Sequence, residues 1–144
     1  NENNAYRSLN FIIDHALRNN IKVTIFINPY HERYLKVVSK VGKFEMFLKW
    51  KNDLVDFLYD NSYSTKINLY DFSGFNHFTH EAVPHENGEY MDWFWEPAHY
   101  TEALGEIMLA EMFNGSDTYL LDRRNVKGKN VHDRNRMAEL MRTK

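Results

Sequence analysis

Glu96 and His99 stand three positions apart in the segment WEPAHYTEALGEIML, where a loop leads into an amphipathic pattern. A carboxylate at this spacing can accept the Nδ1 proton of the imidazole, so that Nε2 faces a substrate or a nucleophile. A general base requires this arrangement. The simpler alternative is a carboxylate-imidazole pair that only fixes the entrance of a helix.

Three further residues lie where a ligand could be contacted, and we predict that His31, Asp71 and Trp95 bind substrate. His31 and Asp71 each follow or end an apolar, strand-like run, and the ring of Trp95 offers a flat apolar surface for a sugar. Each also has a structural alternative. His31 can cap a nearby carbonyl, Asp71 can cap a turn or a helix, and Trp95 can pack in the core with Trp93 and Phe94.

Histidine is dense in the segment NHFTHEAVPHENGE, which contains His77, His80, Glu81 and His85. Nitrogen and oxygen ligands at such spacing could hold zinc. The segment has neither the H-E-x-x-H pattern nor a cysteine, and solvated histidines are common in loops. We therefore expect no metal ion and no cofactor.

Ser73 lies in DFSGFN, a turn that follows an apolar run, and could in principle act as a nucleophile. It lacks the G-x-S-x-G elbow that exposes a strained nucleophilic serine. Asp, Ser and Gly each favour turns for local backbone reasons, so we interpret the segment as a turn.

The elements that must position these residues follow from hydrophobic periodicity. Residues 5–20 predict a helix that Asn19 or Asn20 ends in a left-handed conformation, and IKVTIFINP predicts a strand buried on both faces. A second helix is predicted over about 43–59, with Lys49, Lys51 and Asp53 toward solvent, and INLYDF predicts a second strand. The prediction continues with a loop over 73–99 and a third helix capped by Thr101. It ends with a short helix over about 130–142.

Alternating strands and helices indicate an α/β fold, a three-layer α/β/α doubly wound parallel sheet such as that of flavodoxin. In such a sheet, ligands bind beyond the carboxyl ends of the strands, where NPYHER, DFSGFN and WEPAHY would meet. Two strands are too few for a complete sheet, so we expect further strands before this segment. We assign residues 1–115 to the α/β domain and 116–144 to a basic C-terminal extension.

EPAHYTEALGEIML resembles the closing block of the SGNH hydrolases, also called GDSL-type esterases. That block is an acidic residue, two further residues and a histidine ahead of the last helix, and the form HY....G..I occurs in SGNH-like proteins encoded among bacterial cell-surface and exopolysaccharide genes. IKVTIFINPYHERYL and NLYDFSGFN are similar to successive strand-and-loop stretches of those proteins. The resemblance covers roughly residues 21–113.

The resemblance implies that His99 is the general base and Glu96 its orienting acid, although the family usually has Asp at the acid position. It also implies that the nucleophilic serine and the oxyanion-hole Gly and Asn come from blocks N-terminal to this chain. The expected activity is hydrolysis or transfer of O-acyl groups, such as O-acetyl, on carbohydrate. The isolated chain is then expected to be inactive, and a bacterial cell-envelope or secreted location is favoured. The alternative is a degenerate, non-catalytic SGNH-like domain that binds polysaccharide or protein.

Composition excludes several other classes of function. The 144 residues can bury one substantial core, and a net charge of -2 gives no general attraction to nucleic acid or membrane. Without cysteine the chain has no disulfide, thiolate ligand or cysteine nucleophile, and no apolar run approaches the ~20 residues that span a bilayer. The basic tail with Arg123, Arg124, Lys127 and Lys129 is interpreted as a solvated face, so we expect no nucleic-acid partner.

Overall fold

The computed structural model describes residues 4–84 and 89–142. Within these ranges the chain has five helices and four short strands, so that it is a mixed α/β protein. The elements in chain order are α1 (Asn4–Arg18), β1 (Thr24–Ile27), α2 (Glu32–Lys40), α3 (Phe44–Asp60), β2 (Asn68–Asp71), β3 (Phe94–Glu96), β4 (His99–Tyr100), α4 (Glu102–Phe113) and α5 (Val126–Arg142).

The strands β1 and β2 form the parallel pair that the sequence predicts. Thr24 lies opposite Asn68 and Ile27 lies opposite Asp71, so both strands end at the same level. The other edge of β2 is covered by an antiparallel bridge between Tyr70 and Leu120. The segments after β1 and after β2 therefore leave the pair side by side.

Helices pack against both faces of this pair, because successive strand residues point to opposite sides. On one face, Ile27 and Leu69 share an apolar cluster with Ile13 of α1 and Leu54 of α3. On the other face, Tyr70 belongs to a second cluster, which includes residues of α4 and of β3. Burial on both faces, predicted for β1, is incomplete, because Ile27 is buried on one face whereas Phe26, on the other, is 40% exposed.

Local signals at the helix ends are confirmed at two positions. Asn20 has φ 55°, the left-handed conformation that ends α1. The side chain of Thr101 accepts a hydrogen bond from Leu104 N at 3.4 Å, as an N-cap does. The sequence, in contrast, predicts no element for α2. Its nine residues include Val37 and Val38, which favour strands, and its N-cap is a histidine, which is not a common capping residue.

The last helix starts earlier than predicted, at Val126, and packs against α2 and α3. Met137 shares a cluster with Leu35 of α2 and Leu48 of α3. The division at residue 115 stays a prediction, yet these contacts tie α5 to the elements that precede it. No described helix combines the length and apolar character that a bilayer crossing requires.

Candidate functional site

A short β-hairpin positions the predicted base and acid. Glu96 at the end of β3 lies opposite His99 at the start of β4, with Pro97 and Ala98 between them. Phe94, two residues earlier, is almost completely buried in the cluster under α4 and anchors the hairpin. The loop predicted over 73–99 thus contains a hairpin at its end, and His99 lies in a strand before the helix entrance.

Glu96 uses its two carboxylate oxygens on different partners. One oxygen, Oε1, is hydrogen-bonded to His99 Nδ1, and the other accepts the backbone N–H of Ala98 at 3.0 Å. The Ala98 N–H first, and the imidazole second, hold the pKa of the Glu96 carboxyl below its usual value. The carboxylate is therefore ionised at neutral pH and able to hold the Nδ1 proton of a neutral imidazole.

The other imidazole nitrogen, His99 Nε2, has no hydrogen-bond partner among the described residues. The imidazole side chain is 80% exposed and the Glu96 side chain 50% exposed. With the proton on Nδ1, Nε2 carries a lone pair that faces solvent. This is the protonation pattern that a general base needs.

The hairpin lies beside the segment that follows β1. The carbonyl oxygen of Pro97 accepts the backbone N–H of His31 at 3.0 Å, and the His31 ring meets Phe94 edge to face at 5.5 Å between centroids. The sequence segments NPYHER and WEPAHY are therefore in contact near the carboxyl end of β1.

His31 itself is only 1% exposed, and both of its ring nitrogens are used. Nδ1 accepts the N–H of Arg33 at 3.2 Å, which makes His31 the N-cap of α2, and Nε2 donates to the carbonyl of Glu81 at 2.8 Å. This is the capping role that the sequence left open as an alternative. His31 would have to release one of these hydrogen bonds to contact a substrate, and its role in substrate binding stays a prediction.

Glu81 is a positioning residue that sequence reasoning placed only in a candidate zinc segment. Its carboxylate accepts backbone N–H groups of Asp92 and, at 3.0 Å, of Trp93, while its carbonyl accepts from His31. Glu81 therefore links α2 to the start of the hairpin. A carboxylate that holds two consecutive N–H groups has no simple sequence signature.

Asp71 is also buried, in an ion cluster that the sequence did not predict. Its Oδ2 lies 2.9 Å from Lys51 Nζ, and the same ammonium lies 2.8 Å from Asp133 Oδ2. Lys51 was predicted to point to solvent, and that prediction is wrong, because its side chain is fully buried. Burial alone would lower the pKa of Lys51, but the two carboxylates outweigh burial and raise it. The position of Asp71 gives no exposed carboxylate to a substrate, so its substrate role stays a prediction.

Ser73 is buried in the turn after β2. Its backbone N–H and its hydroxyl both donate to Asp71 Oδ1, at 3.0 and 2.5 Å. These are the local bonds of an Asx turn, as the turn interpretation of DFSGFN requires. Among the described residues, no hydrogen bond joins His99 to Ser73 or to any other serine of the chain.

The three consecutive aromatic residues 93–95 divide between core and surface. Phe94 is buried and Trp93 is partly buried, and the Trp93 ring packs edge to face on Phe78 at 5.1 Å. Trp95 is 70% exposed, next in sequence to Glu96. Only Trp95 is thus free to offer a ring face to a ligand.

The histidine-rich segment forms another imidazole-carboxylate pair. His80 Nδ1 is hydrogen-bonded to Glu32 in the first turn of α2, whereas His77 lies against the ring of Phe78 at 3.8 Å between centroids. Within residues 4–84 and 89–142, no three His, Cys, Asp or Glu side chains come together as metal ligands. His85 lies outside the described residues.

Comparison with known proteins does not add to this geometry. No protein-family model, no curated protein and no solved structure matches the chain. The function has to be argued from the site.

Proposed function

We propose that this chain supplies the histidine and acid of a Ser-His-acid site in an SGNH-like hydrolase or acyltransferase with a three-layer α/β/α fold. The observation that carries the proposal is the state of His99, whose Nδ1 is held by an ionised Glu96 while Nε2 is free and exposed. The resemblance of EPAHYTEALGEIML to the closing SGNH block supports it.

In the proposed reaction, His99 Nε2 takes the proton of a serine hydroxyl as that oxygen attacks an ester carbonyl. Glu96 keeps the imidazole in the correct tautomer and stabilises the imidazolium that forms. The imidazolium then returns the proton to the leaving alcohol. Water or a sugar hydroxyl, deprotonated by the same nitrogen, resolves the acyl-enzyme.

The nucleophile of this reaction is expected in another segment of the natural polypeptide. Ser73 is buried and donates its hydroxyl proton to Asp71, so its oxygen is not available to His99. The 144 residues alone are therefore expected to have no esterase activity. The proposed substrate is an O-acyl group on carbohydrate, for which the exposed ring of Trp95 offers a stacking surface.

A covalent serine-hydrolase probe tests the proposal. A fluorophosphonate should label one serine of the natural polypeptide that contains these residues, and His99→Ala should abolish the labelling. His80→Ala is the matched control, because it removes an imidazole that is also paired with a glutamate. Labelling that survives in the His99 variant, or that is lost equally in the His80 variant, would contradict the assignment.

A non-catalytic binding domain is the competing function, and the exposure of both His99 and Trp95 favours it. A catalytic imidazole is usually sheltered from water, whereas an exposed aromatic ring beside polar groups is typical of a carbohydrate-binding surface. In this case the natural polypeptide would remain unlabelled throughout. Trp95→Ala would then weaken polysaccharide binding, and His99→Ala would leave it unchanged.

A further inference from the structure

A cavity of about 530 Å³ opens at the carboxyl end of β2, away from the hairpin. Its walls are the turn after β2, with Phe75 and His77, and the first turns of α5, with Lys129 and His132. Its volume lies within the range of small-molecule sites, and the carboxyl end of a parallel strand is where such sites form in α/β proteins.

Two carboxylates lie at the inner end of this cavity, but their oxygens are already engaged. Asp71 accepts from Ser73 and from Lys51, and Asp133 accepts from Lys51 and, at 3.1 Å, from Phe75 N. Both side chains are nearly excluded from solvent. A cationic ligand would therefore find no open acceptor on them.

Three basic side chains are among the groups at the cavity that still have hydrogen-bonding capacity. Lys129 Nζ donates to the carbonyl of Thr118 at 3.2 Å, and an ammonium has three donors. The imidazoles of His132 and His77 line the same cavity and have no hydrogen-bond partner within the part of the chain that the structure describes. One ammonium and two imidazoles therefore remain for a ligand, together with the hydroxyl of Tyr119, which also lines the cavity.

Burial is the largest influence on the Lys129 ammonium. Loss of hydration lowers its pKa, and repulsion from Lys51 adds to that effect, although the carboxylates of Asp71 and Asp133 act in the opposite direction. An anion that replaces the lost water would stabilise the charged form.

Two aromatic rings contribute to the remaining walls of the cavity. Phe75 and Tyr119 both line it, and Tyr119 is held in place by the ring of Phe72 at 4.6 Å between centroids. Aromatic rings offer flat apolar surface that a planar, apolar group can contact.

We propose that this cavity binds a small organic anion, in which a phosphate or carboxylate contacts Lys129 and His132 and an attached ring lies against Phe75 and Tyr119. The site does not involve Glu96 or His99, and it is independent of the proposed acyl-transfer function.

Phenyl phosphate is a suitable probe because it joins an anion to a ring. In calorimetric titration of the 144-residue chain, phenyl phosphate should bind, inorganic phosphate should bind more weakly, and uncharged benzyl alcohol should not bind measurably. Lys129→Met should weaken phenyl phosphate binding by at least about tenfold, since it removes a charge-assisted hydrogen bond.

Lys127→Met is the matched control, because it removes the same charge from an exposed position two residues earlier in α5. His132→Gln is an independent change at an exposed ring, and it should also weaken phenyl phosphate binding. It provides the test if Lys129→Met does not fold. Benzyl alcohol binding as well as phenyl phosphate, or equal affinities in the Lys127, Lys129 and His132 variants, would overturn the proposal. His99→Ala should leave this affinity unchanged, so the result is separable from that of the proposed function.

Discussion

Lys51 Nζ in α3 lies 2.8 Å from Asp133 Oδ2 in α5, and both side chains are almost completely excluded from solvent. Because the same ammonium lies 2.9 Å from Asp71 at the end of β2, one cation joins two helices to the parallel strands. Removal of the cation would leave two carboxylates buried without compensation. The cluster is therefore expected to stabilise the fold.

Lys51→Met tests this expectation. The variant should lose about 3–5 kcal/mol of the free energy of unfolding, the typical cost of breaking a buried ion pair on one side. Urea denaturation followed by circular dichroism measures the change. Lys49→Met is the control on the same helix, because Lys49 and Asp53 form an exposed pair and such pairs contribute roughly 0.5 kcal/mol or less. Similar costs for both variants would show that the cluster does not hold the elements together.

Asp133→Asn should lower the free energy of unfolding by less than Lys51→Met does. One carboxylate and one ammonium then remain, and the amide oxygen can still accept the N–H of Phe75. We expect a loss of about 1–3 kcal/mol, the range for hydrogen bonds to charged groups, from the same denaturation measurement. A cost above that of Lys51→Met would contradict the charge argument.

Tyr63 predicts a pH dependence of stability in the alkaline range. Burial first, and the hydrogen bond from its hydroxyl to Asp14 at 2.5 Å second, raise the pKa of Tyr63 to about 12 from the ordinary value of 10.0. Because the folded-state pKa is the higher one, the contribution of this phenol is complete below pH 10 and is lost as the pH rises toward 12.

The variant Tyr63→Phe removes that contribution. The difference in free energy of unfolding between the wild type and Tyr63→Phe should be about 1–2 kcal/mol at pH 8 and should shrink between pH 10 and 12. Chemical denaturation at several pH values measures it. A difference that stays constant over this range would show that the pKa of Tyr63 is the same in the folded and the unfolded state.

Glu96→Gln should change the protonation pattern of His99. The wild type is expected to carry the proton of the neutral imidazole on Nδ1, and the variant should lose this preference because an amide is a weaker acceptor than a carboxylate. Nitrogen NMR chemical shifts of the imidazole report the tautomer directly. Glu32→Gln serves as control, since it should alter His80 and leave His99 unchanged.

The same Glu96 variant should slow labelling in the natural polypeptide. If the proposed function holds, the rate of fluorophosphonate labelling should fall at least about 100-fold, as loss of the orienting acid does in related mechanisms. An unchanged rate together with a changed tautomer would show that His99 is not the base.

Phe94 and Trp95 are adjacent but should respond in opposite ways to truncation. Phe94→Ala should cost about 3–5 kcal/mol because the ring is buried under α4, whereas Trp95→Ala should change stability by less than about 0.5 kcal/mol. Thermal unfolding of both variants provides the comparison. A large loss for Trp95→Ala would mean that the exposed ring contributes to the core and is not reserved for a ligand.

Much of the secondary structure was determined by local signals in the sequence. The parallel strands β1 and β2 and the helices α1, α3 and α4 follow from apolar periodicity, and Asn20 and Thr101 mark helix ends because their preferences act over only a few residues. The spacing of Glu96 and His99 predicted a carboxylate-imidazole pair, whereas the hairpin that brings the two residues opposite each other was not predicted.

Residues whose role depends on distant partners were decided by the tertiary structure. Lys51 was predicted to be a surface lysine because its two carboxylate partners, Asp71 and Asp133, lie 20 and 82 positions away in the chain. Only packing brings them to the ammonium. His31 is a helix cap because its two ring nitrogens are hydrogen-bonded to the carbonyl of Glu81 and to the N–H of Arg33 in α2. Local sequence sets backbone preference within a few residues, whereas burial and charge compensation arise from contacts between elements that are remote in the chain.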